Sequence, residues 1–223
     1  MNMLSPARLK AHPVSIAPSD KKRTLLPYCV QAETNLFRDG DICSGLFEVV
    51  SGVFRISRLT RGGRRYVIGF GFPGDILGYG PDRFHISDCD AVSAAKVIRH
   101  RADVLYGDSA QLQRHQTLVK GALQQVEAMQ DHCMMLGRNT ARDRIAAFLS
   151  LFGERIGTPL GRYVEFDLLM PRTDIADYLG LSTETVSRCL TELRHDNLIA
   201  IENVHHFVLL QPQHLEELAE GDG

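Results

Sequence analysis

The chain has little of what would place it in a membrane or an active site. No apolar run in its 223 residues reaches the length of a membrane span. Residues 1–28 carry Lys10, Lys21, Lys22 and Arg23 but no unbroken apolar core, which argues against a signal peptide. A cytoplasmic protein with no membrane partner is expected. Cysteine is sparse, and Cys29, Cys43, Cys89, Cys133 and Cys189 are widely spaced and odd in number. Free thiols in a reducing compartment are a simpler reading than a disulfide framework. The chain lacks a phosphate-cradling loop, a nucleophile–base spacing and a metal-ligand cluster, so no enzyme is expected. Positive charge is also not in excess: the formal net charge is −2. Little overall positive charge implies weak non-specific attachment to any polyanion and reliance on specific contacts.

Residues 172–199 are the most informative stretch. Arg-Thr-Asp-Ile-Ala-Asp-Tyr-Leu is a short helix, Gly-Leu-Ser a turn, and Thr-Glu-Thr-Val-Ser-Arg-Cys-Leu-Thr-Glu-Leu-Arg-His the start of a second helix. This is helix-turn-helix patterning. Ala176 is small where two helices must approach, Gly180 permits the tight turn, and Leu181 is expected to be buried beside it. Ser182 is placed to cap the second helix. Val186, Leu190 and Leu193 fall on one face. Glu184, Ser187 and Arg188, at i, i+3 and i+4, fall on another. Arginine can give two hydrogen bonds to guanine, glutamate can accept from cytosine N4 and serine is an adaptable short contact; each good bidentate pair discriminates by about 1–3 kcal/mol. The plainer alternative is an ordinary Glu184–Arg188 surface pair, worth about 0.2–0.5 kcal/mol.

Upstream, the short apolar runs Leu46–Val50, Val53–Ile56, Tyr66–Phe72 and Ala91–Ile98 are separated by glycine-bearing turns. That rhythm predicts an antiparallel β-roll over 29–107, with Arg61-Gly62-Gly63-Arg64 as a hairpin tip. Residues 1–28 read as an N-terminal arm. Over 108–137, Leu112, Val119, Val126 and Cys133 recur every seven residues, with His115, Ala122, Met129 and Leu136 three after each. This predicts a long helix pairing with its copy in a homodimer; the alternative is a helix packed on its own domain. Gly137-Arg138-Asn139 reads as a hinge. Ile145, Phe148, Leu149 and Phe152 make the buried stripe of a further helix, Tyr163–Phe166 a strand, and Ala200–Leu210 a hairpin wing. The architecture expected is α+β: β-roll, dimer helix, winged helix-turn-helix over 138–211, and a flexible acidic tail over 212–223.

With these residues in place, the chain resembles the cyclic-AMP-receptor/FNR superfamily of bacterial transcription regulators, most of all its FixK-type branch. The motifs that carry the resemblance are Gly137-Arg-Asn-Thr-Ala-Arg-Asp-Arg-Ile-Ala-Ala-Phe-Leu and Met170-Pro-Arg-Thr-Asp-Ile-Ala-Asp-Tyr-Leu-Gly-Leu-Ser-Thr-Glu-Thr-Val-Ser-Arg. The resemblance implies that Glu184, Ser187 and Arg188 read an inverted repeat of TTGA half-sites in double-stranded DNA. Thr183 stands where the cyclic-AMP receptor has arginine, which favours the FNR/FixK type of operator. It also implies recruitment of RNA polymerase, hence an activator.

The family's cyclic-nucleotide pocket uses a Gly-Glu segment and an Arg-Ser/Thr-Ala motif. Here the stretch is Pro73-Gly-Asp-Ile-Leu-Gly-Tyr-Gly, with Tyr79 in the glutamate's place, and no arginine directly precedes a Ser/Thr-Ala pair. A phosphate there would face Asp82, Asp88 and Asp90. An iron–sulfur cluster needs four thiolates, and no short Cys-x-x-Cys spacing supplies them. No cofactor is therefore expected; haem on His85 or His100, or an unrecognised nucleotide in the β-roll, stays the alternative. Cys189 is a redox candidate: Arg188 and Arg194 would favour its thiolate, and oxidation would set negative charge against DNA phosphates. Cys133, at the seam, reads more simply as a small buried packing residue.

Overall fold

The structure, a computed structural model, describes residues 26–80, 84–101 and 112–220, and the side chains of these except at 112–114. Eight strands form the N-terminal unit: β1 (Tyr28–Val30), β2 (Asn35–Phe37), β3 (Gly45–Ser51), β4 (Phe54–Leu59), β5 (Arg65–Gly71), β6 (Ile76–Leu77), β7 (Asp88–Ala91) and β8 (Ala95–Arg101). They make two antiparallel four-stranded sheets, ordered β1-β8-β3-β6 and β2-β7-β4-β5. Alternate residues of each strand turn inward, as a half-buried strand requires. Phe37, Phe47, Val49, Phe54, Leu77 and Val97 fill the space between the sheets.

The Arg61-Gly62-Gly63-Arg64 tip joins β4 to β5, and Thr60 and Arg64 close it through the Thr60 amide and the Arg64 carbonyl at 2.9 Å. The apolar run Ala91–Ile98 is not one strand. Ser93 and Ala94 lie in a turn, with the Ser93 hydroxyl accepting from the Val53 amide, so β7 and β8 enter different sheets. Apolar content alone cannot show such a break.

Helix α1 (Leu112–Leu136) leaves the β-roll and crosses its surface. Leu118 packs on Leu46 and Ile76. Gly121 allows the close approach: a Cβ there would lie 2.9 Å from both Ile76 Cδ1 and the Tyr79 hydroxyl. The same hydroxyl donates to the Leu118 carbonyl. Val119, Leu123, Val126 and Met129 point away into solvent. Helix α1 therefore has two apolar faces, one docked on its own chain and one bare.

Helix α2 (Ala141–Ile156) starts at a capping box in which Thr140 and Asp143 bond each other's backbone amides, the arrangement that satisfies first-turn donors. Ile145, Phe148, Leu149 and Phe152 are all fully buried. A third sheet, ordered β11-β12-β10-β9, joins β9 (Thr158–Leu160), β10 (Tyr163–Asp167), β11 (Ile199–Ile201) and β12 (His206–Leu209). Between β10 and β11 lie α3 (Arg172–Leu179) and α4 (Thr183–His195). Where the acidic composition of 212–223 predicts fraying, the structure has helix α5 (Pro212–Glu220) packed along α2, with Leu215 and Ala219 buried. Two apolar residues four apart outweigh the acidic neighbours, because that spacing puts both on one face. The arm at 1–25, Asp82, residues 102–111 and residues 221–223 lie outside the described residues.

Candidate nucleic-acid interface

Helix α3 ends because Gly180 adopts φ +64°, a left-handed conformation that residues with a Cβ rarely take. Two residues later Ser182 caps α4, its hydroxyl accepting from the Thr185 amide at 3.1 Å. The apolar face of α4 (Val186, Leu190 and Leu193) is buried against α2 and α3. Leu181 is only partly buried, packed at the margin of that core. At the far end of α4, Arg142 of α2 pairs with Asp196 at 2.7 Å, holding the helix at its C-terminal cap. The opposite face of α4 is therefore fixed in direction and open to solvent.

Thr183, Glu184, Ser187 and Arg188 lie on that open face. The side chains of Glu184 and Arg188 are 74% and 69% exposed and pair with each other. The Ser187 hydroxyl donates to the Thr183 carbonyl at 2.9 Å, and its lone pairs stay available. Both contacts are local and surface-exposed, worth a few tenths of a kcal/mol, so a base edge can displace them cheaply. Glu184 also sits in the first turn, where a carboxylate is favoured by the helix dipole.

Cys189 does not share this face. It is 6% exposed and packs with the inward residues of α4. Burial, helped by Glu192, raises its thiol pKa; Arg142 and Arg188 pull the other way and lose. The thiolate-favouring environment read from Arg188 and Arg194 is corrected: sequence adjacency to Arg188 turns the side chain about 100° around the helix, away from it. Cys133 is exposed on α1 within the single chain.

In the β-roll, Asp90 is not free to repel an anion. It is held by Arg55 of β4, and Asp88 accepts from the Asp39 amide at 2.9 Å. The Pro73–Gly80 stretch lies under α1, with Tyr79 pushed by burial up to about 12. His85 is buried, stacked on Phe37 with ring centroids 3.9 Å apart, and its pKa is lowered by burial. His100 meets Glu48 at 2.7 Å. Among the described residues no group of three or more His, Cys, Asp or Glu side chains is placed to hold a metal ion, and no helix is long and apolar enough to cross a membrane. A cavity of about 460 Å³ opens between the β-roll and the wing sheet, beside Val53, Phe152, Arg155 and His206. Its two cationic side chains are already engaged, Arg155 by Asp75 at 2.5 Å and His206 by Asp167 at 2.9 Å.

A second cluster gave no clear sign in the sequence. Asp174 of α3 is fully buried, and the guanidinium groups of Arg55 (β4) and Arg65 (β5) both reach it. The one clue was an acid directly beside Ile175 and Ala176 on a helix with few polar positions facing inward; its partners lie more than a hundred residues away in sequence.

An N-capped helix with an outward acid, hydroxyl and guanidinium, set beside a four-stranded wing sheet, defines a winged helix-turn-helix DNA-binding protein. Residues 143–218 match the Crp-like helix-turn-helix domain. The chain is 37% identical over 189 residues to nitrogen fixation regulation protein FixK of Bradyrhizobium diazoefficiens, covering 82% of this chain and 78% of the relative. It is 33% identical over 167 residues to transcriptional activatory protein AadR of Rhodopseudomonas palustris, covering 74% of this chain and 70% of the relative. Among solved structures, FixK2 from Bradyrhizobium japonicum superposes with a TM-score of 0.76 at 26% identity, over 87% of this chain and 97% of that one. The chain belongs to the CRP/FNR superfamily, in its FixK-type branch. It is a DNA-binding transcription regulator and not an enzyme.

Proposed function

We propose that the chain is a cytoplasmic transcription activator that binds, as a homodimer, an inverted repeat of TTGA-type half-sites and recruits RNA polymerase. The observation that carries this reading is the outward trio Glu184, Ser187 and Arg188 on a helix capped by Ser182 and tied to α2 at its other end. Arg188 is the guanine reader, Glu184 the cytosine acceptor, and Ser187 the short adaptable contact; Thr183 flanks them at the helix start. Dimerisation is supported by the bare face of α1. Val119, Val126, Met129 and Leu136 are all exposed along it, at the spacing of a helix pair. A two-fold dimer then presents two copies of α4 to two half-sites. The activator role is supported by the relative named for that activity.

Control by effector is not part of this reading. Tyr79, standing where the family has its glutamate, packs with Leu118 and Ile76, and a ring nitrogen of His100 is held by Glu48. Inactivation through Cys189 oxidation requires the buried face of α4 to open first, because the thiolate is the reactive form and burial disfavours it.

Selection of bound sequences from random duplex DNA, with Arg188→Ala beside the wild type, tests the reading. The wild type should enrich an inverted repeat. Arg188→Ala should weaken binding to it by roughly 5- to 150-fold, the equivalent of 1–3 kcal/mol. Enrichment of no palindrome by the wild type overturns the reading.

A further inference from the structure

Helix α3 is held by the β-roll through charge. The Arg55 guanidinium contacts both Asp90 of β7 and Asp174 of α3. Arg65 contacts Asp174 and, at 3.2 Å, Asp177. Glu33 completes the set at 3.6 Å from Arg55. Arg55, Asp90 and Asp174 are all buried. One turn on, Tyr178 meets the β-roll and α1 together: its ring lies 5.0 Å from that of Phe70 and 3.8 Å from that of His132. His132 also contacts the Tyr178 carbonyl at 2.8 Å. Asp174 and Tyr178 are four residues apart and share a helix face.

Two arginines and four carboxylates are a poor choice if strength were all that was needed. Buried ion pairs recover little more than their desolvation, and apolar packing would serve as well. What charge supplies is direction, because hydrogen-bonded carboxylates and guanidinium groups tolerate few relative placements. The cluster sits on the helix that precedes the reader by a three-residue turn. Fixing α3 against the β-roll therefore fixes α4. The reader unit also meets the β-roll through Phe152 against Phe70 and Phe72 and through the Arg155–Asp75 pair; that packing holds the two together, and the cluster adds direction at α3.

We infer that Asp174, gripped by Arg55 and Arg65, is a positioning residue for DNA recognition: the ion cluster sets the angle at which α4 leaves the molecule, and so the half-site spacing that the dimer accepts. This rests on the reading of α4 as the base-contacting helix. A rigid dock gives a sharp spacing preference, since the two copies of α4 are held at one separation. A loosened dock lets each reader adjust, and part of the binding free energy is spent on ordering it.

Arg65 is the member to change, because it is half-exposed and leaves Asp174 paired with Arg55. Full-length Arg65→Met and Arg65→Lys are compared with wild type on inverted repeats at the preferred half-site spacing and at one base pair shorter and longer. Arg65→Met should lose about tenfold in affinity at the preferred spacing and less than about twofold at the others, flattening the profile. Arg65→Lys, which keeps the charge but not the planar guanidinium, should fall between wild type and Arg65→Met. An Arg65→Met protein with the wild-type ratio between spacings overturns the inference, whether its overall affinity is unchanged or falls equally on every DNA. A wild type with no palindrome preference overturns the reading of α4 and this inference with it; a sharp wild-type preference that Arg65→Met leaves intact overturns the inference alone.

Discussion

Arg188 and Cys189 are neighbours in sequence with opposite fates. One residue along a helix is a rotation of about 100°, enough to carry Arg188 to solvent and Cys189 into the core shared with α2 and α3. The chemistry follows from the placement. Arg188 keeps a solvent-exposed guanidinium held by the surface pair with Glu184, and the Cys189 thiol, its pKa raised by burial and Glu192, stays protonated. In the folded protein Cys189 should react with iodoacetamide more slowly than the exposed Cys29, read by peptide mapping over time. Labelling of Cys189 at the rate of Cys29 would show that α4 opens readily. The inward direction of Cys189 was available from its spacing to Val186, Leu190 and Leu193; its charge environment was not, since Arg142 and Glu192 enter through the fold.

Among the elements, α4 and α1 show two kinds of marginal support. Helix α4 depends on its ends, with Ser182 bonding the Thr185 amide and Arg142 bonding Asp196. Ser182→Ala should cost about 0.5–2 kcal/mol of stability by thermal or urea unfolding, the range for a lost N-cap. Unchanged stability would mean that another group caps the helix. Helix α1 depends on what lies on each side of it. Leu118, Gly121, His132 and Met135 serve its own chain, so changes there should lower its stability. Val126 and Met129 are exposed among the described residues. Val126→Glu with Met129→Lys should give a folded monomer by sedimentation, with its far-ultraviolet circular dichroism intact and palindrome affinity lost. A double variant that stays dimeric would locate the interface elsewhere. The heptad spacing marked one of these faces and was silent on the other. The docked face is set by a glycine and by Tyr79, partners that spacing within the helix does not reveal.

Across the whole molecule, two buried histidines make stability depend on pH. Burial lowers the pKa of both His85 and His132 from the ordinary 6.5. Below about pH 6.5 the unfolded chain therefore binds protons that the folded chain refuses, so stability should fall as pH drops through that value and level off below the folded pKa values. His206 works the other way: its pKa is raised by Asp167, so its contribution is present at low pH and lost as pH rises through the raised value. His132→Gln should flatten the decline in Tm between about pH 6.5 and pH 5 relative to wild type. An unchanged slope would show that His132 titrates as freely folded as unfolded.

What the amino-acid sequence determined by itself is what repeats locally: glycine-punctuated strands, the 3.6-residue stripe of α2, the Gly180 turn, the Ser182 cap and the outward trio on α4. Each depends on residues within a turn or two of one another, where spacing is geometry. Only the tertiary structure decided the rest. It broke the Ala91–Ile98 run into two strands of different sheets, folded the acidic end into α5 on the strength of Leu215 and Ala219, turned Asp90 from a repelling charge into a partner of Arg55, and brought Arg55 and Arg65 onto Asp174 across more than a hundred residues. A buried charge has no periodicity to announce it; its partner is chosen by which strand and which helix happen to meet, and that is a property of the packed chain.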